Sequence, residues 1–446
     1  MTGNVEVSNA RVFAIAGPAM VTNVTTPLLG VVATAAIGRL GDAALLGGVA
    51  MASVAFDYLF WLFGFLRMGT VAFAAQALGA DDTREQHAVL ARALLIAAAV
   101  GLLIIAVQAP FATLIFDAMG GSPEVTAAAR TYFFVRVWSA PFALGNYVLA
   151  GWLVGLAYVR TAMAIQIGLN IVNIVLVVVL VLGLDLGIAG AALASVIAQI
   201  AGFAAGMAVA WRILGGRFDV NVGVLFDRAR MVRMLAVNRD IMIRTAALIS
   251  AFAFFTARGA RAGDVTLAAN AVLHNFTLVG AFFLDGIATA AEQICGQTYG
   301  ARDRKGFGQA VRLVLIWGFA FGAAATALFA ATGDWLIDLM TASPDVRETA
   351  RQFMSFAALA PVCGVMAFCY DGIYIGATWA RDMRNLMLAS LATYLAAWWL
   401  LRDLNNEGLW IAILIFFVAR GAFQALRYPA LARAPFSGAV TAPLKA

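Results

Sequence analysis

Ionisable residues stand inside long apolar runs of this chain, and they are unevenly spread. Asp240, Asp285, Glu292 and Asp371 fall in the second half, Asp57 and Arg67 in the first. A charge in hydrocarbon costs roughly 2.5–3.5 kcal/mol on the insertion scale, so such residues tend to be functional. A carboxylate there can take up a proton or bind a cation, and the chemistry on offer is reversible ion binding. Wound at about 100° per residue, His274, Asp285 and Glu292 project at about 0°, 20° and 0°, one stripe of one helix. Polar groups on a stripe can simply satisfy one another, but two acids on one face fit an aqueous path or ion site better. Asp371 is a lone acid in the run Gln352–Arg381, where a functional role is favoured over a merely structural one. Asn170 and Asn173, at i and i+3, can hydrogen-bond a substrate or equally a neighbouring helix. Arg67 stands near a span end, where it can snorkel. Arg239, Asp240 and Arg244 can pair among themselves at a helix start.

The elements that hold these residues follow from composition. Of 446 residues 63% are hydrophobic and 12% charged, with a mean hydropathy of +0.89. Soluble domains carry about 25% charged residues. Seven runs, Val12–Gly38, Ala93–Phe116, Val137–Val159, Ala162–Leu184, Leu186–Trp211, Val265–Leu284 and Leu313–Gly333, hold 20 to 27 uncharged residues each. About 20 apolar residues cross a bilayer. Ala43–Gln76, 237–260, 348–378, 383–402 and 405–426 complete twelve predicted spans of an all-α, polytopic membrane protein. The opening "MTGNVEVSNAR" lacks the basic region of a signal peptide, so the first helix is expected to be kept.

Arginine sets the orientation. A cytoplasmic N-terminus puts Arg84, Arg160, Arg212, Arg228, Arg304, Lys305, Arg381, Arg384, Arg433 and Lys445 inside, and leaves fewer basic residues outside. Both termini are expected in the cytoplasm. The net charge of +6 is then a topology signal, scattered over short loops, and does not point to nucleic acid. Cys295, Cys363 and Cys369 lie in apolar segments without metal-like spacing and read as small core residues.

The chain also repeats itself. "SPEVTAAAR" at 122–130 returns as "SPDVRETAR" at 343–351, and "QALGADD" at 76–82 returns as "QTYGARD" at 297–303, each 221 residues on (343 − 122 = 221). Gly151, Gly155 and Arg160 recur as Gly372, Gly376 and Arg381. Ser122 and Ser343 have the pattern of helix N-caps, each followed by proline and an acid. Two six-helix lobes are expected, residues 1–215 and 237–446, joined by a cytoplasmic linker at 216–236. An even number of spans per lobe gives a pseudo-two-fold axis along the membrane normal, as in many secondary transporters. At this offset Asp371, Asp285 and Glu292 fall on Ala150, Gly64 and Val71, so the scaffold repeats and the charge does not.

Enzyme chemistry finds little support. Only Lys305 and Lys445 are lysines, which leaves no phosphate-binding GxxxxGK[ST] loop. Two histidines, His87 and His274, make no metalloprotease helix, and no G-x-S-x-G elbow is present.

"FLRMGTVAFAAQALGA", "NIVNIVLVVVLVLG", "NRDIMIR", "LDGIATAAEQICGQTYGARD" and "DGIYIGAT" resemble the multidrug and toxic compound extrusion (MATE) transporters, specifically their DinF-like branch. The resemblance covers nearly the whole chain. It implies a bacterial inner-membrane antiporter that needs no cofactor and expels small amphipathic, often cationic organic compounds in exchange for H⁺ or Na⁺. It is expected to work as a monomer among membrane lipids. Asp57, Arg67, Asn170 and Asn173 would line the substrate cavity. The family pattern places acids where this chain has Ala33, in "GVVATAAIG", and Val177, in "NIVLV", so the first lobe lacks the usual proton site. Coupling then falls to Asp371, Glu292, Asp285 and His274. A flippase for lipid-linked precursors, and a transport-deficient or sensory relative, are the alternatives. Arg84→Cys and Arg304→Cys should label only from the cytoplasm and Asp345→Cys only from outside. Labelling of 84 and 304 from opposite faces would break the parallel-repeat topology.

Overall fold

The computed structural model describes residues 5–39, 42–216 and 222–433; residues 217–221 of the expected linker and Lys445 lie outside the described residues. Among the described residues the chain is all-α. The helices are α1 (Asn9–Gly38), α2 (Ala43–Leu62), α3 (Phe65–Gly79), α4 (Thr83–Ala106), α5 (Gln108–Met119), α6 (Pro123–Arg136), α7 (Ala140–Gly155), α8 (Val159–Val177) and α9 (Gly187–Ile213). A short α10 (Val222–Leu225) precedes α11 (Arg228–Arg261), α12 (Asp264–Gly300), α13 (Arg304–Met340), α14 (Pro344–Gly376), α15 (Ala380–Leu400) and α16 (Asn405–Arg433). Hydrocarbon cannot bond to backbone N–H and C=O groups, so a spanning chain must satisfy them within a helix.

Among the described residues ten helical segments are long and apolar enough to cross a membrane, with α2–α3 and α6–α7 each counting as one. The 30-residue α1 and the 21-residue α15 stand at the other two expected spans. Arg381, Asp382 and Arg384 dilute the first turns of α15. Two span limits differ from the sequence reading. The run Ala93–Phe116 is broken at Val107, and Pro110 follows in the first turn of α5. The run from Val137 begins inside a longer helical segment that starts at Pro123 and tightens to a 3₁₀ turn over Val137–Ser139. Proline lacks the N–H a continuing helix needs, so both breaks sit where proline can be accommodated.

Contacts divide the chain into two compact units. One comprises Val21–Ala74 and Asp82–Asn238; within it α2 packs on α6, α4 on α7, and α9 on α6, α7 and α8. The other comprises the segment ending at Met20, Ala75–Asp81 and the chain from Arg239; within it α14 packs on α12, α13 and α16, and α15 on α16.

The 221-residue repeat runs through the backbone. Helix starts at 43, 83, 123 and 159 return at 264, 304, 344 and 380, and helix ends at 79 and 155 return at 300 and 376 (264 − 43 = 221). Asp82 caps α4 by accepting from the Glu85 N–H at 2.9 Å, and its counterpart Asp303 caps α13 through Gly306 at 2.9 Å. Left-handed residues repeat too: Ala157 with Thr378 (φ 66° and 56°), Asp81 with Arg302 (φ 55° and 54°). After α7 the Tyr158 N–H closes on the Leu153 carbonyl at 2.8 Å, and after α14 Trp379 closes on Tyr374 at 2.8 Å. That six-residue closure ends a helix by satisfying its last carbonyls. The serine caps match less well: Ser122 accepts from the Val125 N–H at 3.3 Å, while Ser343 makes no side-chain cap.

Glycine matters where backbones touch. Gly151 lies against the Arg67 carbonyl, and its counterpart Gly372 lies against that of Ala288, Arg67's own counterpart. Gly79 meets Gln297 while Gly300 meets Gln76, a contact that is its own image under the repeat. A reciprocal contact of that kind is what a two-fold relation produces. A side chain at any of these positions would force the helices apart.

Candidate functional site

Asp371 is not the isolated charge that its helix suggests. It is 4% exposed on α14, and side chains from two other helices converge on it. Arg244 of α11 donates to Oδ2. Arg420 of α16 donates from Nη2 to the same oxygen at 2.6 Å, and Gln424, one turn on, donates from Nε2 to Oδ1 at 2.7 Å. The Arg420 guanidinium also lies over the rings of Phe416 and Phe368, 5.5 and 5.9 Å from their centroids. Tyr374, on α14, donates its hydroxyl to the Gln424 backbone carbonyl at 2.8 Å, which pins the same turn of α16. Three long helices are thus tied through one carboxylate.

The charges do not balance. Two buried guanidiniums face one carboxylate, which leaves one positive charge when all three are ionised. Arg244 Nε, Arg420 Nε and Gln424 Oε1 are buried and have no hydrogen-bond partner among the described residues. Buried polar groups are ordinarily paired, so three orphans in one cluster need a reason.

Asp240 forms a second buried knot, accepting from Arg239 Nη2 at 3.0 Å and from Arg384 Nη1 of α15 at 2.7 Å. The expected trio at the start of the seventh span is therefore split. Arg239 stays with Asp240, and Arg244, one turn deeper, goes to Asp371.

The stripe on α12 is one line of an unbroken helix but not one site. Successive residues His274, Asp285 and Glu292 are about 16 and 10 Å apart in rise. His274 packs edge-on against Phe252 with ring centroids 5.5 Å apart. Asp285 is half-buried, while Glu292 is 2% exposed. The backbone of α12 at Glu292 lies against α14: Gly372 lies against Ala288, and a Cβ on Gly376 would meet the Glu292 carbonyl at 2.6 Å.

In the other unit the candidates scatter. Asn173 donates to Ser195 of α9 at 3.2 Å and serves as glue between helices. Asn170 is buried and accepts from Gln166 at 3.0 Å, and its own Nδ2 has no hydrogen-bond partner among the described residues. Val177 is buried where α8 gives way to a π-helical stretch, Val178–Gly183. Asp57 is exposed and Arg67 half-buried; with Arg136 they bring three charges to bear on Tyr147. Ala33 belongs to α1, and its side chain lies outside the described residues.

Arg420 and Gln424 were missed, although a signal existed. Arg420 follows ten uncharged residues, Trp410–Ala419, as deep in its span as Asp371 is in its own. An intramembrane base needs an intramembrane acid by the rule that singled out Asp371. At the repeat offset Arg420 falls on Gln199 and Asp371 on Ala150, so the first half holds no copy of the pair.

Comparison with known proteins gives the chain's family. The MatE family model matches residues 18–179 and 241–397. DNA damage-inducible protein F of Escherichia coli (strain K12) is 37% identical over 422 residues, spanning 93% of this chain and 90% of that protein. The probable multidrug resistance protein NorM of Caulobacter vibrioides is 25% identical over 438 residues, 93% of this chain and 90% of that protein. Among solved structures, the crystal structure of MATE in the bent conformation is similar with a TM-score of 0.87 at 19% identity, covering 95% of this chain and 96% of that one.

Removing one partner from a buried ion pair strands the other and costs roughly 3–5 kcal/mol. Asp371→Asn and Arg420→Gln should each destabilise the purified protein on that scale. The double variant should lose less than their sum, with a coupling of about 0.5–3 kcal/mol. Chemical unfolding in mixed micelles reads the cycle, and strictly additive losses would show that the two side chains do not interact.

Proposed function

This chain belongs to the MatE family, and from that premise we propose that it is a secondary active exporter of amphipathic, often cationic organic compounds, driven by H⁺ through alternating access. Two lines support the reading: relatives named as multidrug resistance or multidrug export proteins, and a buried acid on which three helices depend. The observation that carries it is the Asp371 cluster.

Asp371 acts here as a latch. When ionised it holds α11 and α16 against α14. When protonated it gives up its ion pairs with Arg244 and Arg420, and the cluster's charge rises from one to two. The orphaned Nε and Oε1 atoms leave donors and an acceptor ready for the changed partnership. A nearby cationic substrate is repelled more strongly by the protonated cluster, so proton and substrate compete. Glu292 and Asp285 supply the negative charge that a cation needs, since the cluster itself has a positive surplus. Na⁺ is disfavoured because it would need oxygen ligands where N–H donors face the Asp371 oxygens, whereas a proton needs only to displace one of those donors. Exchange of one H⁺ for one monovalent cation draws on ΔpH alone, about 1.4 kcal/mol per pH unit. Ala33 and Val177 leave the first half without a matching acid, so one proton site per cycle is the expected stoichiometry.

The positive surplus favours one second reading, the movement of an anionic lipid-linked precursor. Proteoliposomes separate the two. A cationic dye should be exported when a pH gradient is imposed and not when a Na⁺ gradient alone is imposed. Asp371→Asn should abolish the gradient dependence, and Glu292→Gln should weaken it. Full gradient-driven export by the Asp371→Asn, Glu292→Gln double variant would place coupling elsewhere, and pH-driven movement of an anionic but not a cationic amphiphile would favour the flippase.

A further inference from the structure

Away from the buried cluster, the end of this unit formed by α13 and α16 holds a cavity of about 240 Å³, lined among others by Arg304, Phe307, Gly308, Tyr428 and Arg433. Its aromatic wall belongs to a wider set of rings. Trp379 stands 5.9 Å from Phe307 and 6.3 Å from Tyr428, and Tyr428 stands 5.8 Å from Tyr370. Tryptophan and tyrosine gather where hydrocarbon gives way to headgroups, which sets the depth of the cavity in the bilayer.

The rim is basic and uncompensated. Arg304 and Arg433 are exposed, and neither enters an ion pair among the described residues. No acid lines the cavity. Of the acids nearby in sequence, Asp303 is engaged as the cap of α13, accepting from the Gly306 N–H at 2.9 Å, and Asp382 is paired with Arg427 at 2.8 Å. Two turns along α13 comes Arg312, also exposed and also outside any ion pair among the described residues. The same face then becomes apolar: Ile316 is 48% and Phe319 43% exposed. Positions 304, 308, 312, 316 and 319 follow each other by four or three, the spacing of one helix face. A free anion needs only the guanidiniums. The apolar continuation is what an acyl chain needs.

We propose that this face binds an anionic phospholipid, with the phosphate held by Arg304 and Arg433 at the cavity, Arg312, about 12 Å along the helix, reaching towards the headgroup's glycerol end, and a chain lying along Ile316 and Phe319. Basic pockets between membrane helices recognise anionic headgroups in this way, each nearby arginine being worth about fivefold in affinity. The site is independent of the Asp371 cluster and does not rest on the transport reading.

Native mass spectrometry of the purified full chain, released from micelles holding equal phosphatidylglycerol and phosphatidylcholine, tests it. The parent should retain phosphatidylglycerol in preference. Arg304→Gln, Arg312→Gln and Arg433→Gln should each reduce that preference about fivefold, and the triple variant should abolish it. All three side chains are exposed, so the single variants report even if the triple variant folds poorly. Arg212→Gln, an exposed arginine elsewhere, should leave the preference unchanged, as should added inorganic phosphate. No preference in the parent, a preference that survives the arginine substitutions, or displacement of the lipid by inorganic phosphate would overturn the proposal.

Discussion

Hydrocarbon offers no hydrogen bonds, and every polar group in this molecule is arranged around that fact. Backbone groups are satisfied inside long helices. Buried side chains form knots, and most of those knots are closed. Asn270 and Asn406 exchange hydrogen bonds at 2.8 and 3.1 Å while Trp410 donates to Asn270 at 2.9 Å. Arg92, 1% exposed, is met by Glu85 and by the carbonyls of Val224 and Leu225, which ties α4 to the short α10. The Asp371 cluster is different. It has more charge than its partners neutralise and more polar atoms than they satisfy. The proposed switch would draw on that surplus.

The repeat explains where such a switch can sit. Caps, left-handed closures and glycine contacts are copied at one offset, so both halves obey the same packing rules. The copies differ in continuity and charge. Where the first half breaks its helices, near Phe63 and Val107, the second half runs α12 and α13 unbroken. The buried ion pairs of Asp371 and Asp240 belong to the helices beside them, α11, α14, α15 and α16.

Much of the fold was legible because its signals are repetitive. Apolar runs of 20 to 27 residues fix helices, and "SPEVTAAAR" with "SPDVRETAR" fixes the offset. The helix breaks at Val107 and Val137 were not legible from hydropathy, since both flanks are equally apolar and only Pro110 and Pro141 mark them. Asp371 could be found as a buried acid, but its partners lie 127 and 49 residues away on other helices. No periodicity along one helix reports on contacts between helices. Projection angle likewise put His274 in line with Glu292 but took no account of the rise that separates them. Arg244 looked settled by its neighbour Asp240, because sequence proximity is a poor guide to which face of a helix a long side chain reaches.

The central claim is that Asp371 gives up a proton when a cationic substrate binds. Proton release can be followed directly with a pH indicator in weakly buffered micelles as a cationic dye is titrated into the purified protein. Starting from a pH low enough to protonate Asp371, the parent should release protons in proportion to dye bound, and Asp371→Asn should bind dye with no release. Equal proton release from both proteins would contradict the account, because the titrating group would then lie outside the cluster that joins α11, α14 and α16.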